Sequence, residues 1–500
     1  MAERVLGKVK GLSFLLLALT VPLTIRFVPE AIAWPYPTGF DSLIYANAMI
    51  DGYPFNGPWL VKSACFLYLI AWALNSLTDD LLLTMKLLGA LAFCSLCGSL
   101  YVYARSALRW GHAKSLMVSV LAGSYFILLG MSWQMYRMTL GLAFLVASLI
   151  AARLENSKLR VVALTAFCLL TAWTHEIAAI TLFALMAVLF ALGRADRKSL
   201  AISVTPSILL FAYQRYDEAT GTLSIPTCAF QASSSSQATL YVFGYFVYAF
   251  LPLSPLIVLG LRRLKHVDIV AFSALCLALA LMPVYSPYLP LFSSYAGYWY
   301  RGALMLALPL VFFAVEGLER LWSAKGMWAR ACKSLAVAVL ALNFAMTAFY
   351  VACPPESQIA YFGEWNNYKQ FVPTSMLQNS VSIRDTPHVI EALEWVKSNL
   401  NPKKTTLVLH EAIDNWAGMV VGKAFERVRV NEENISSPER RSSATSLLEV
   451  AEAKAAEGRE VYTIWWVDDK GWYTMPSLPR QFAEVRRFGD MAVYRYAPQA

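Results

Sequence analysis

Charge is what this sequence has least of: only 15% of its 500 residues are Asp, Glu, Lys or Arg, against 58% hydrophobic. A soluble globule carries about a quarter of its residues charged, so this balance excludes that class and points to an integral membrane protein. Organised cysteine is also missing. The eight Cys, at 65, 94, 97, 168, 228, 276, 332 and 353, are scattered mostly inside apolar runs, which argues against a disulfide framework or a zinc site. No small-residue cleavage site follows the first apolar run at 12–28, so an uncleaved first span is expected there rather than a signal peptide. There is no internal repeat, and no low-complexity tract beyond Ser233–Ser236.

The charge that is present is unevenly placed. Residues 352–500 hold 17 Lys and Arg against 19 Asp and Glu, whereas the first 351 hold 25 against 14. A basic membrane part reads as cytoplasmic loops obeying the positive-inside rule, and not as nucleic-acid binding. Apolar runs fall near 12–28, 60–77, 80–104, 113–131, 134–152, 160–174, 177–192, 199–213, 239–260, 267–283, 301–318 and 331–351. Six compact basic clusters lie between them: Arg4/Lys8/Lys10, Arg105/Arg109/Lys114, Arg153/Lys158/Arg160, Arg194/Arg197/Lys198, Arg262/Arg263/Lys265 and Arg320/Lys325/Arg330/Lys333. All six share one side if one run fails to cross. The run at 60–77 is the one to demote, since it starts at Lys62, contains Asn75 and Ser76, and runs into Asp79-Asp80. Eleven crossings then remain, with the N-terminus cytoplasmic.

The expected architecture is a mainly α polytopic membrane protein of about 11–12 transmembrane helices, residues 1–351, followed by a small α/β soluble extracytoplasmic domain, residues 352–500. In that tail Thr386-Pro387 opens a helix with a stripe at Ile390, Leu393, Val396 and Leu400. Strands are expected at 405–410, 460–467 and 491–496, and an Ala/Glu/Lys helix at 443–457 closed by Gly458. Ile464-Trp465-Trp466-Val467-Asp468-Asp469 reads as strand then turn, and Asn434-Ile435-Ser436 is a glycosylation sequon.

With sides assigned, the outer loops hold the unusual chemistry. The segment 34–58 brings Asp41 through a Pro/Gly-rich approach to the head of a short helix with apolar residues at Leu43, Ile44, Ala48 and Ile50, expected to lie on the surface. Asp41 there is a helix cap, a catalytic base, or both. Lys62, Lys86, Arg137 and Arg301 are outer cations suited to a phosphate, Arg more so than Lys because it binds bidentately. Snorkelling from span ends is the plainer reading of the two lysines. His175 and Glu176, between two apolar runs, are costly there unless they face a polar cavity. They line a site, form a solvated turn, or join Asp41 on a divalent metal such as Mg or Mn, although one His and two acids show no characteristic ligand spacing. The loop 284–301 carries Tyr285, Tyr288, Tyr295, Tyr298, Trp299 and Tyr300, an interfacial aromatic belt or a wall for a ligand beside Arg301.

Three of these stretches resemble the GT-C superfamily of polytopic glycosyltransferases, which includes protein O-mannosyltransferases and the aminoarabinose transferases of lipid A. They are Gly39-Phe40-Asp41…Tyr45-Ala46…Asp51-Gly52 in the first outer loop, Thr78-Asp79-Asp80…Lys86 opening a span, and Tyr101, Tyr103 and Arg105 closing it. The likeness covers the order of parts over most of the chain. It implies that Asp41 is the catalytic or metal-coordinating acid, and that a polyprenyl- or dolichyl-phosphate-linked sugar is the donor. One departure stands out: Ser42, not a second acid, follows Asp41, which counts against a paired-carboxylate metal site.

The expectation is a glycosyltransferase moving sugar from that lipid-linked donor to a glycan, lipid or protein acceptor on the extracytoplasmic face. Asp41 is its catalytic residue, and Lys62, Lys86, Arg137, His175, Glu176, Tyr298 and Arg301 bind substrate. A transporter or flippase for lipid-linked glycans, or a non-catalytic subunit that recruits a partner through its outer domain, are the alternatives. The side assignment has a direct check. A cysteine placed in the 105–114 loop is expected to stay unlabelled when intact cells meet a membrane-impermeant thiol reagent, and labelling from outside overturns the topology.

Overall fold

The computed structural model describes residues 2–39, 41–194, 196–217, 222–223, 230, 235–352, 381, 383–430, 446–467 and 478–498. The sequon at Asn434 and the turn at Asp468-Asp469 lie outside them. The membrane part runs α1 (Ala2–Ile32), α2 (Ser42–Ile50), α3 (Cys65–Thr78), α4 (Leu81–Ser106), α5 (His112–Gly123), α6 (Phe126–Gln134), α7 (Tyr136–Ala151), α8 (Ser157–Thr174), α9 (Glu176–Ala191) and α10 (Arg197–Arg215). A two-residue hairpin, β1 (Tyr216–Asp217) with β2 (Thr222–Leu223), precedes α11 (Ser235–Phe250), α12 (Ser254–Leu261), α13 (Val267–Ala280), α14 (Met282–Tyr285), α15 (Trp299–Trp322) and α16 (Ala329–Ala352). Among the described residues six helices are long and apolar enough to cross a membrane, seven if the bent pair α5–α6 counts as one span. Four shorter apolar helices, α3, α7, α9 and α13, accompany them.

Ion pairs and ring contacts sort the loops into two ends of the bundle. At one end Lys114 meets Glu316 at 2.6 Å and also Glu319, Arg153 holds Asp268 at 2.6 Å, the Tyr103 hydroxyl donates to Asp268 at 3.1 Å, and Arg160 reaches Asp196 at 3.3 Å. Phe14 stacks on His112 there, which brings in the start of α1. Basic loops after α4, α7, α9 and α12 thus gather where buried or half-buried acids neutralise part of their charge. Glu30, Lys86, Arg137, Glu176 and Arg215 collect at the other end.

The helix α3 does not run between these ends. Its 14 residues span about 21 Å at 1.5 Å per residue, short of a hydrocarbon core of about 30 Å. Ser63, just before it, accepts from Arg137, and Thr78 at its end contacts Thr84 early in α4. Both termini therefore sit at one end of the bundle, and the helix lies across it. Tight backbone contacts between helices occur where glycine permits them. A Cβ on Gly260 would stand 1.8 Å from the Phe313 carbonyl oxygen, and one on Gly317 2.0 Å from that of Leu256, so α12 and α15 pack backbone against backbone in both directions.

After α16 the chain forms a separate α/β unit: α17 (Thr386–Asn399), β3 (Thr405–His410), α18 (Glu411–Val420), β4 (Glu426–Val430), α19 (Leu447–Ala456), β5 (Glu460–Trp466), β6 (Phe482–Phe488) and β7 (Met491–Tyr496). The sheet order is β4-β3-β5-β7-β6, parallel on both sides of β3 and antiparallel beyond β5. The sequence reads Thr386 as the cap of α17 and Pro387 as its first residue; Asp385 is the N-cap instead, so the helix starts one residue earlier, at Thr386. Two strands and one helix have no counterpart in the sequence reading: β4, β6 and α18.

The expectation that α2 is a surface helix with one apolar face is corrected. Leu43 is buried in the core of the α/β unit, while Tyr45, Ala46 and Met49 are buried in a cluster with α3, α4 and α7. Ile44 and Ile50, expected on the buried face, are exposed. A nine-residue helix is unstable alone, so burial on two sides is what forms it.

The approach to α2 hangs on a buried ion pair. Arg26 and Glu30, one turn apart in α1, meet at 2.7 Å with both side chains fully buried. Glu30 also accepts from the Thr38 amide at 2.8 Å and the Thr38 hydroxyl at 2.6 Å. Removing one partner of a buried pair strands the other, at about 3–5 kcal/mol, whereas an apolar pair of similar volume is often neutral. Glu30→Met is therefore expected to lower the melting temperature in detergent sharply and Arg26→Met/Glu30→Met to recover most of it. A double variant no better than Glu30→Met would show that the Thr38 contacts dominate.

Candidate functional site

Two features place Asp41. Gly39 has φ +112°, and a Cβ there would stand 1.8 Å from the Trp133 carbonyl oxygen, so only glycine brings the chain this close to α6. Ser42 then donates to the Gly39 carbonyl at 2.6 Å and tightens the turn. Asp41 occupies the N-cap position of α2, but its carboxylate makes no capping hydrogen bond. It is half-buried, and its charge bears on Tyr45, Tyr68 and Tyr136.

These tyrosines form a ring-to-ring cluster. Tyr45 stacks on Tyr136 with centroids 5.2 Å apart, and Tyr68 meets the edges of Tyr45 and Tyr53 at 6.1 and 4.6 Å. Arg137 follows Tyr136 at the start of α7, and its charge acts on Tyr45, Tyr53 and Tyr68. Tyr45 and Tyr68 thus stand within reach of both the acid and the guanidinium.

The arginine is clasped by neighbours from other elements. Arg137 donates to Glu176 at 2.8 Å and to the Ser63 hydroxyl at 3.1 Å, and Arg215 approaches the same two groups at 3.4 Å each. Two guanidiniums on one carboxylate leave a net positive charge, and the Nε of each arginine is buried with no hydrogen-bond partner. Such a pair suits an anion, above all a phosphate. Arg301, at the head of α15, lies within electrostatic reach of His175 and Glu176. It sits 5.1 Å from the Tyr298 ring and donates to the Tyr300 hydroxyl at 3.2 Å.

The remaining expected site residues are placed differently. Lys86 is fully buried, donates to the Glu30 carbonyl at 2.9 Å and lies 4.5 Å from the Trp34 ring, so its ammonium serves the loop from inside the protein. Lys62 hydrogen-bonds Asn56 and stands over the Tyr53 ring at the rim. Trp299 is core, edge-on to Tyr245 at 5.5 Å, and not a stacking wall. His175 caps α9, its Nδ1 accepting the Ala178 amide at 3.3 Å.

The acids and His175 do not fit a divalent metal. Glu176 is committed to two arginines and His175 Nδ1 to a backbone amide, and among the described residues no group of three or more His, Cys, Asp or Glu is close enough to hold an ion. Arg215 and Ser63 complete the cluster without having been expected in it. Arg215 follows an apolar run outside the six basic clusters, as Arg137 and Arg301 lie outside them, which is the signal that could have found it, while Ser63 carries no sequence signal.

Glu176→Gln tests the clasp. Trading a carboxylate for an amide beneath two guanidiniums should cost about 1–3 kcal/mol and lower the melting temperature in detergent. An unchanged melting temperature would mean that other contacts hold both arginines. No protein-family model matches this chain, and no curated protein matches it in sequence, so its own geometry carries the functional reading.

Proposed function

We propose that the chain is a multi-pass membrane glycosyltransferase that moves a sugar from a polyprenyl- or dolichyl-phosphate donor to an acceptor hydroxyl at the outer end of its bundle. The observation that supports this most is one tyrosine cluster under the charge of both Asp41 and Arg137, with Arg137 paired to Arg215 through Glu176. Sugar transfer from a lipid phosphate needs a base on one side of the anomeric carbon and positive charge on the other.

In this mechanism Asp41 takes the acceptor proton as the acceptor oxygen attacks the anomeric carbon. The bond from that carbon to the phosphate oxygen breaks, and both of its electrons leave with the polyprenyl phosphate. Arg137 and Arg215, held by Glu176, meet the phosphate with rigid donors, and Arg301 adds charge from α15. Direct displacement inverts the anomeric configuration. Lys86 has no part in phosphate binding here, Lys62 stays at the rim, and no step passes through a metal.

If all eleven apolar runs other than α3 cross, as the sequence leads one to expect, the positive-inside rule puts the basic loops in the cytoplasm; among the described residues six helices, or seven with the α5–α6 pair, are long and apolar enough to cross on their own. The tyrosine cluster and the α/β unit then face outward, where lipid-linked donors and envelope acceptors meet.

The test is transfer of labelled hexose from a panel of polyprenyl- and dolichyl-phosphate hexoses by the purified chain in nanodiscs. Asp41→Asn is expected to lower turnover by about 10²–10⁴-fold, and Arg137→Lys to remain impaired because an ammonium lacks the bidentate fork. Full turnover by Asp41→Asn, or a product that retains the donor's anomeric configuration, rules the mechanism out.

A further inference from the structure

The α/β unit is not tethered loosely beside the bundle; it grips the helix that Asp41 heads. Along α2, Leu43 and Asn47 are one turn apart and face this unit, while Tyr45, Ala46 and Met49 face the bundle. Leu43 is only 2% exposed and belongs to the core of the α/β unit. Asn47 donates from Nδ2 to the Asn415 carbonyl in α18 at 2.8 Å. Upstream of Asp41, Tyr36 meets Trp416 edge to face at 5.7 Å, and just beyond α2, Asp51 pairs with Lys423 at 2.7 Å.

The closest approach is at Gly418, where a Cβ would stand 2.5 Å from Asn47 Oδ1 and 2.9 Å from its Cγ. That residue has ordinary helical geometry, so glycine is needed there for space alone. On its other side α18 is fixed to the sheet: Asp414 accepts from Arg427 at 2.9 Å and from Arg429 at 2.8 Å, and Arg429 also reaches the Asn415 side chain at 3.1 Å. The contacts form an unbroken path from the sheet through α18 to α2.

We propose that α18 is a positioning element of the active site: Asn47, Trp416 and Gly418 set the seat of α2, and so the place of the Asp41 carboxylate relative to Arg137. The outer unit is then part of the catalytic body rather than a recruiting arm. This rests on the reading of Asp41 as the base, but the geometric claim has a test of its own.

In full-length protein freed of native cysteines, Asp41→Cys reports the position through its labelling rate with a small charged maleimide. Gly418→Ala forces the Asn47 amide off its partner and is expected to change that rate by about threefold or more, while Gly418→Ala/Asn47→Ala, which restores the space, brings it back to the level of Asn47→Ala alone; the coupling is read as in any double-mutant cycle. Asn47→Ala alone, which removes the hydrogen bond without adding bulk, serves if Gly418→Ala costs the outer unit its protease resistance, and is expected to shift the rate by about twofold.

Labelling rates unchanged in both single variants, or a change that the double variant fails to bring back to the Asn47→Ala level, overturn the proposal. Failure of the transferase reading is seen separately, as full hexose transfer by Asp41→Asn or as no transfer from any polyprenyl- or dolichyl-phosphate hexose by the parent. A positional effect on transfer would appear as reduced kcat with donor KM nearly unchanged, because the arginines that meet the donor do not touch α18.

Discussion

Burying the Arg26–Glu30 pair is the constraint on which this end of the molecule turns. A carboxylate at 0% exposure needs its lone pairs filled, and Thr38 supplies both an amide and a hydroxyl to it. Meeting that demand pulls the 34–39 loop down onto α1. From there Gly39 slides against the Trp133 carbonyl, and the next turn of chain presents Asp41. Lys86 closes the arrangement from α4 by donating to the Glu30 carbonyl, and the Tyr136 hydroxyl adds a bond to the Thr38 carbonyl at 3.4 Å. Electrostatic satisfaction inside the bundle thereby fixes a polar group at its rim.

The same logic separates the two kinds of arginine. Arg26 and Arg153 each hold a deeply buried acid and are spent on structure. Among the described residues Arg137 and Arg215 share a single acid, so their summed charge there exceeds that of the carboxylate between them. Two guanidiniums sharing one carboxylate, beside tyrosines that offer hydroxyls and apolar rings together, can hold an anion that also carries an apolar part.

Sequence made the large features readable because they depend on composition over many residues. The apolar runs, the basic loops between them, the failure of α3 to run the bundle's length and the strands β3, β5 and β7 all follow from local pattern. What escaped depends on partners far away in the chain. Both β4 and β6 are short, charge-rich sheet edges, and the arginines of β4 are explained only by Asp414 in α18. Lys86 looked like a span-end cation, yet a carbonyl 56 residues earlier takes its ammonium. Apolar periodicity assigned α2 one buried face because it cannot register a second body on the opposite side. Asp41, Arg137, Glu176 and Arg301 could be singled out from the chain, whereas the sharing of Glu176 by Arg137 and Arg215 exists only in three dimensions.

The reciprocal glycines of α12 and α15 bear on how this end of the molecule can move. With Gly260 against Phe313 and Gly317 against Leu256, neither helix can slide or roll past the other without backbone colliding with backbone. Mechanically the two are one strut. Since Gly260 meets Phe313 and Gly317 meets Leu256, α12 runs back along α15, and its closing Arg262/Arg263 turn lies on the Arg301 side of these contacts. Any tilt that swung Arg301 toward or away from the tyrosine cluster would drag α12 and its basic turn along with it, as a single stiff lever.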